Sequence, residues 1–557
     1  MRTTMTIRTA LAVVLAAVAT PAAAQQATLV TAARVHTMDA RQPKAEAFAY
    51  DASGRILAVG PRDALATQFP QARRIDLPGA TVIPGLIDAH GHVANLGYTQ
   101  LRVDLVGTRS KTEILERLRA FARDLPKDAW LTGRGWDQND WPEKEFPTVA
   151  DLDVAFPDRA VWLTRVDGHA GWANTAALRA VKRDLSGTWQ PDGGQILRDA
   201  AGRPTGVFID SAMELVRAVV PAVDEATAER ALVLGMDAAV KHGLTGVHDM
   251  GVSQADLRRY RRLADADRMP LRVYALADGD REALADLCRS GLYAHGKGRL
   301  RMRGVKLYMD GALGSRGAAL IEPYSDAPDN RGLLIIEPPA LQALVERVRD
   351  CGVQLAIHAI GDRGNREVLD AYQRALAKAP EGADLRWRIE HAQVVAPEDL
   401  PRLAGLGVIA SMQPTHATSD MPWAETRIGP QRIVGAYAWR QLRDSGARLA
   451  LGSDFPVESV DPRLGLYAAT MRADDAGQPI GGWRPEEKLT AFEALRGFTL
   501  DAARAAFMED EVGSLEPGKR ADFVVLAEDP LAIDPARLRE LTIRATYVDG
   551  RPVWQAP

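Results

Sequence analysis

Eight short apolar runs, parted by stretches of helical period, set the narrowest limit on what this chain can fold into. The runs are 81–88, 243–248, 271–277, 303–309, 353–358, 386–391, 407–412 and 448–453, and amphipathic segments such as 341–350 and 364–377 lie between them. Alternation of that kind builds parallel sheet, because a strand can lie parallel to its predecessor only after a crossover long enough to hold a helix. Eight units in succession predict an α/β chain with a TIM-like (β/α)8 barrel. One interval breaks the pattern. About 150 residues separate the first run from the second, far more than a βα loop needs, so an insertion at about 95–240 must carry structure of its own. It holds six of the eleven tryptophans, which suits a lid or a substrate pocket.

The two ends share another texture. Residues 25–83 and 511–557 alternate strand-like runs with turns such as Asp51-Ala52-Ser53-Gly54 and Asp549-Gly550. They are expected to pair into one small composite β domain, leaving 84–510 as the barrel. Ahead of them, Arg2 and Arg8 precede an apolar run, Ala10 to Ala19, and Ala22-Ala23-Ala24 offers a small-residue cleavage site before Gln25. Residues 1–24 therefore read as a cleavable signal peptide, its apolar part too short for a bilayer, which takes roughly 20 residues. The expected location is periplasmic or secreted, with no membrane anchor in the mature form. A formal charge of −4 supplies no basic field for a phosphate backbone, so the expected partner is a small-molecule substrate and not nucleic acid, with a homo-oligomer left open. Only Cys288 and Cys351 are present. That excludes a disulfide-dense scaffold or a thiolate zinc site, and both are expected as buried apolar residues.

The chemistry gathers at the ends of the predicted strands. In Asp88-Ala89-His90-Gly91-His92 the two histidines stand two apart along a strand, so their side chains share a face. His358 closes the fifth run, His391 the sixth, and Asp454 follows the eighth. One such residue alone would ordinarily be a satisfied hydrogen-bonding group. Four strand ends on one barrel rim carrying imidazole or carboxylate form a ligand set for one or two divalent ions, zinc or a similar metal. Lys306 stands inside an apolar strand, where an unpaired ammonium is unfavourable. It is either ion-paired with Asp310 or another rim carboxylate, or converted by carbon dioxide to a carbamate that supplies an anionic oxygen ligand. His248 ends the second strand and is set outside the ligands. Trp136 and Asp137 in the insertion, and His416 after the seventh strand, are candidate substrate-pocket residues, with core packing the alternative for Trp136.

The motifs Pro84-Gly85-Leu86-Ile87-Asp88-Ala89-His90-Gly91-His92, Asp167-Gly168-His169, Lys306 with Asp310-Gly311, His358-Ala359-Ile360-Gly361-Asp362, Glu390-His391-Ala392 and Gly452-Ser453-Asp454 together resemble the amidohydrolase superfamily, in particular its family 3 branch that includes the N-substituted formamide deformylases. The resemblance runs from about residue 27 to the C-terminus. It implies the barrel, the composite β domain and a metal centre on His90, His92, Lys306, His358, His391 and Asp454, with Lys306 carbamylated. It also implies that His169 faces the substrate and steadies a developing oxyanion, while Asp454 carries the proton. The activity expected on this footing is metal-dependent cleavage of a C–N bond in a small amide of N-acyl or N-formyl type. Hydrolysis of esters, lactones or cyclic ureides would use the same residues. A non-catalytic periplasmic binding protein would have no need of both Asp454 and Lys306.

Overall fold

The computed structural model describes residues 27–557 apart from Asp280; the expected signal peptide lies outside the described residues. Eight strands run parallel in chain order: β1 (Leu86–Gly91), β2 (Leu244–Val252), β3 (Arg272–Asp278), β4 (Leu300–Tyr308), β5 (Gln354–Ala359), β6 (Arg388–His391), β7 (Ile409–Met412) and β8 (Arg448–Leu451). The chain leaving β8 returns to β1 through a parallel bridge between Gly91 and Phe455. There Asp454 N–H donates to His90 O at 2.7 Å and His92 N–H to Phe455 O at 2.8 Å. Asp88 reinforces this seam, accepting from Ser453 Oγ at 2.6 Å and from Ser453 N–H at 3.1 Å. The (β/α)8 barrel is thus present. Its outer helices bury one apolar stripe each, Leu341, Val345 and Val348 in the helix Pro338–Asp350, as a helix packed on a sheet must.

The first apolar run is divided where the sequence reading took it as one strand. Arg73–Pro84 belongs to a separate sheet, and β1 begins at Leu86. Gly85 is the joint: a Cβ there would lie 2.1 Å from Thr245 Oγ1, so only glycine lets the chain pass this close to β2. The separate sheet has seven strands, with Arg73–Pro84 lying between Thr28–His36 and Phe523–Leu526. Both chain ends therefore share one small β domain, around Phe48, Val82, Phe523 and Tyr547.

The insertion folds into a six-stranded sheet of its own. Trp136, Trp141 and Trp172 form its core, with ring centroids 6.0 to 6.4 Å apart, instead of lining a lid. The cysteines also depart from expectation. Cys288 and Cys351 are half-buried and joined in a disulfide, with Cα atoms 5.2 Å apart. The helix Arg281–Ser290 follows β3 and the helix Pro338–Asp350 precedes β5. Both helices flank β4, so residues separated by 63 positions become neighbours. No helix among the described residues is long and apolar enough to cross a membrane.

Candidate metal centre and active site

His90 lies in β1, His92 just beyond it, Lys306 in β4, His358 in β5, His391 at the end of β6 and Asp454 after β8. A barrel strand delivers its last residues to one mouth, and these six line a single cavity of about 440 Å³ together with His169 from the insertion. His90, His391 and Asp454 offer ligand atoms that all lie within 4.8 Å of one another. His92 Nε2 stands 3.0 Å from Asp454 Oδ1, and Lys306 Nζ stands 3.3 Å from His90 Nε2. His358 joins by ring contact, 4.6 Å from His391 and 4.9 Å from His169 between centroids, outside the compact trio.

The imidazoles are held from behind. His90 Nδ1 faces Glu390 Oε2 at 2.6 Å, His92 Nδ1 faces Met250 O at 3.0 Å, and His391 Nδ1 faces Gln413 Oε1 at 2.8 Å. His358 Nε2 faces Gly311 O at 3.4 Å. Each of these oxygens only accepts, so the nitrogen facing it carries the proton. The other nitrogen of each ring keeps its lone pair, the form in which imidazole binds a metal. Burial holds His90, His358 and His391 well below the ordinary imidazole range and so keeps them neutral. Asp454 Oδ1 is buried without a hydrogen bond. An ionised acceptor stranded among lone pairs is unfavourable until a cation joins them, so this donor set fits a divalent ion.

Burial also pushes the Lys306 amine down to about 8, against the pull of Glu390 and Asp454. Its pairing with Asp310, one of the carboxylate partners open from the sequence, does not form. Asp310 accepts instead from the N–H groups of Ala319, Ile360 and Gly361 at 2.9, 2.9 and 2.8 Å, which ties together the loops after β4 and β5.

Several supporting residues escape a reading by strand ends. Arg388 donates to Glu390 through Nε at 2.7 Å and Nη2 at 3.0 Å, and its Nη1 lies 2.9 Å from His248 Nδ1. This buried network fills the barrel beneath the ligands, and His248 belongs to it and does not line the cavity. Its signal in sequence was available: two charged residues spaced two apart in a buried strand point to the same side. Asp210 gave no such signal. It ends the strand Pro204–Asp210 of the insertion, and its Oδ1 lies 2.5 Å from His169 Nδ1. Burial alone lowers the His169 pKa, but Asp210, aided by Asp167 and Asp454, carries it above the usual imidazole value. Of the three candidate pocket residues, none lines the cavity. His416 touches the centre from behind, its ring 5.8 Å from that of His391 and its Nε2 3.9 Å from Asp454 Oδ2. Trp136 is core, its indole N–H donating to Leu163 O at 3.0 Å. Asp137 is turned away, held by Arg165 and by Asn139 N–H.

Known proteins are similar to this chain. The sequence pattern described as the amidohydrolase family matches residues 73–554. The YtcJ protein of Bacillus subtilis is 35% identical over 94% of this chain and 98% of its own length. The N-substituted formamide deformylase of Arthrobacter pascens is 32% identical over 93% of this chain and 96% of its own. The crystal structure of an uncharacterized metal-dependent hydrolase from Pyrococcus horikoshii superposes with a TM-score of 0.74, at 28% identity, over 91% of this chain and 99% of that one.

Proposed function

We propose that this chain, which belongs to the amidohydrolase family, hydrolyses a C–N bond in a small amide of N-acyl or N-formyl type. The observation that carries the reading is the meeting of His90, His391 and Asp454 within 4.8 Å, beside an open cavity and with each imidazole held in its ligating form. A relative named for deformylation of N-substituted formamides supports the N-formyl end of that range.

His90, His92, His391 and Asp454 would hold the ion, with His358 and a carbamylated Lys306 available to a second, and zinc suits the set. Such an ion supplies a water acidified from about 15.7 toward 7 and a polarised carbonyl. Asp454 takes the proton of the attacking water and returns it to the departing nitrogen. His169, its Nδ1 committed to Asp210, turns Nε2 to the substrate, where in protonated form it donates to the developing oxyanion. The Cys288–Cys351 disulfide supports an oxidising, extracytoplasmic location.

Purified protein should be assayed on matched N-formyl amides, N-acyl amides, esters and lactones, with metal content measured. Amide cleavage that disappears on chelation and returns with zinc is the expected result. Ester or lactone cleavage without amide cleavage would overturn the reading.

A further inference from the structure

The cavity has a cationic side that the hydrolytic chemistry does not use. Arg134 and Arg217 line it, and both also line a second cavity of about 410 Å³, where Arg102 joins them. The first two converge on Gly168, the residue before His169. A Cβ at Gly168 would lie 3.6 and 3.8 Å from Arg134 Nη1 and Nη2, and Arg217 Nη2 lies 3.5 Å from Gly168 O.

These guanidinium groups are poorly matched by the protein. Arg134 donates to Val166 O at 2.7 Å, and its Nε is buried without a partner. Arg102 lies over the Tyr98 ring at 4.3 Å. Among the described residues neither has a carboxylate within ion-pair distance. Arg217 has only Glu214, at 3.1 Å, with both side chains exposed. The nearby carboxylates have other partners: Asp167 meets Arg165, Asp210 meets His169, Asp256 meets Arg259, Asp249 meets Tyr260, and Asp454, whose charge reaches Arg134 only from beyond ion-pair distance, stands against His92. Crowded like charges without counter-ions are unfavourable, and a bound anion relieves them. Paired guanidiniums in a cleft are suited to a carboxylate, which accepts from both in one plane.

We propose that the substrate carries a carboxylate that seats between Arg134 and Arg217, with Arg102 behind them, and that this contact presents the scissile amide to His169 and the metal ligands. The substrate is then an acylated amino acid or similar anionic amide, and its side chain enters the second cavity between Tyr98 and Val220. This rests on the C–N hydrolase reading.

The test compares N-formylphenylalanine with N-formylphenylalaninamide, in which an uncharged NH₂ replaces one carboxylate oxygen, and cleavage is followed as formate release. Binding is measured by calorimetry on metal-loaded Asp454→Asn protein, in which turnover is slow, and kcat/KM is measured on the otherwise unaltered enzyme. The acid should bind about 10- to 100-fold more tightly than the carboxamide, the range of a charge-assisted contact. Arg217→Gln and Arg134→Gln should each reduce that preference to within about threefold. If the Arg134 variant does not fold, the half-exposed Arg217 decides. An acid bound no more tightly than the carboxamide, including no binding of either, overturns the proposal. Preferential binding without cleavage would uphold the carboxylate site and remove the hydrolase reading, whereas equal binding with equal cleavage would do the reverse.

Discussion

At His90 one contact sets the chemistry: Glu390 accepts a hydrogen bond from Nδ1–H, and Nε2 is left to bind. Glu390 also accepts from Arg388, so it needs acceptors on both sides. Glu390→Gln has an oxygen for only one of them and turns an NH₂ toward the other. Metal affinity should fall about 10- to 100-fold, as measured by chelator competition, and wild-type affinity would detach Glu390 from the centre. Asp454→Asn keeps one ligating oxygen but cannot take a proton. It should retain most of its metal and lose about 10²- to 10⁴-fold in turnover; an equally fast variant at matched metal content would remove Asp454 from proton transfer. Lys306 adds a pH dependence. Its pKa is pushed down to about 8, and only the neutral amine reacts with carbon dioxide. Metal-free protein held at a fixed carbon dioxide pressure should therefore form the carbamate faster above that pH than below it, roughly tenfold slower per unit on the acid side. An initial rate of labelled-carbamate formation, followed by NMR at that fixed pressure, that did not change with pH would refute this.

Among the elements, β1 is the one that the periodicity joins to a strand of another sheet. Pro84 to Leu86 is a single uninterrupted apolar stretch, and the break at Gly85 arises from its approach to Thr245 on β2, about 160 residues away. Gly85→Ala drives a methyl into that contact and should destabilise the fold by about 1 to 3 kcal/mol, read as a lowered denaturation midpoint. The other seven strands were legible because a buried parallel strand is a short continuous apolar run wherever it occurs. The disulfide between the helices flanking β4 was not, since two cysteines carry no sign of their geometry. Replacing Cys288 by Ser should lower stability by about 2 to 4 kcal/mol while leaving metal content unchanged. An unshifted melting midpoint would show that the bridge is not formed.

For the molecule as a whole, the C-terminal segment is part of the barrel's support. Phe523–Leu526 pairs directly with Arg73–Pro84, and buried Arg272 of β3 has its Nε 2.7 Å from Asp522 Oδ2 and its Nη2 2.5 Å from Asp549 Oδ1. A chain ending at residue 510 strands that charge and exposes the sheet edge, and breaking a buried pair from one side is worth about 3 to 5 kcal/mol. The truncated protein should fail to accumulate in soluble form, and a soluble, metal-loaded product would contradict the role assigned to this sheet.

What the sequence determined by itself was everything local in origin: the period of each barrel unit, the strand-end residues His90, His92, His358, His391 and Asp454, and the pairing texture of the two chain ends. Strand order carries those residues to one rim, so their meeting needs no further information. Tertiary structure alone decided what depends on distant surfaces meeting. Asp210 reaches His169, and Arg134 reaches Gly168, only because the insertion's strands pair into one sheet, with Ile209 opposite Ala170 and Arg134 opposite Thr164. Trp136 lies inside the insertion because its own sheet needed a core, and Cys288 found Cys351 because their helices flank the same strand. In each case the deciding interaction joins residues that no local period connects, and burial is settled only when the surfaces pack.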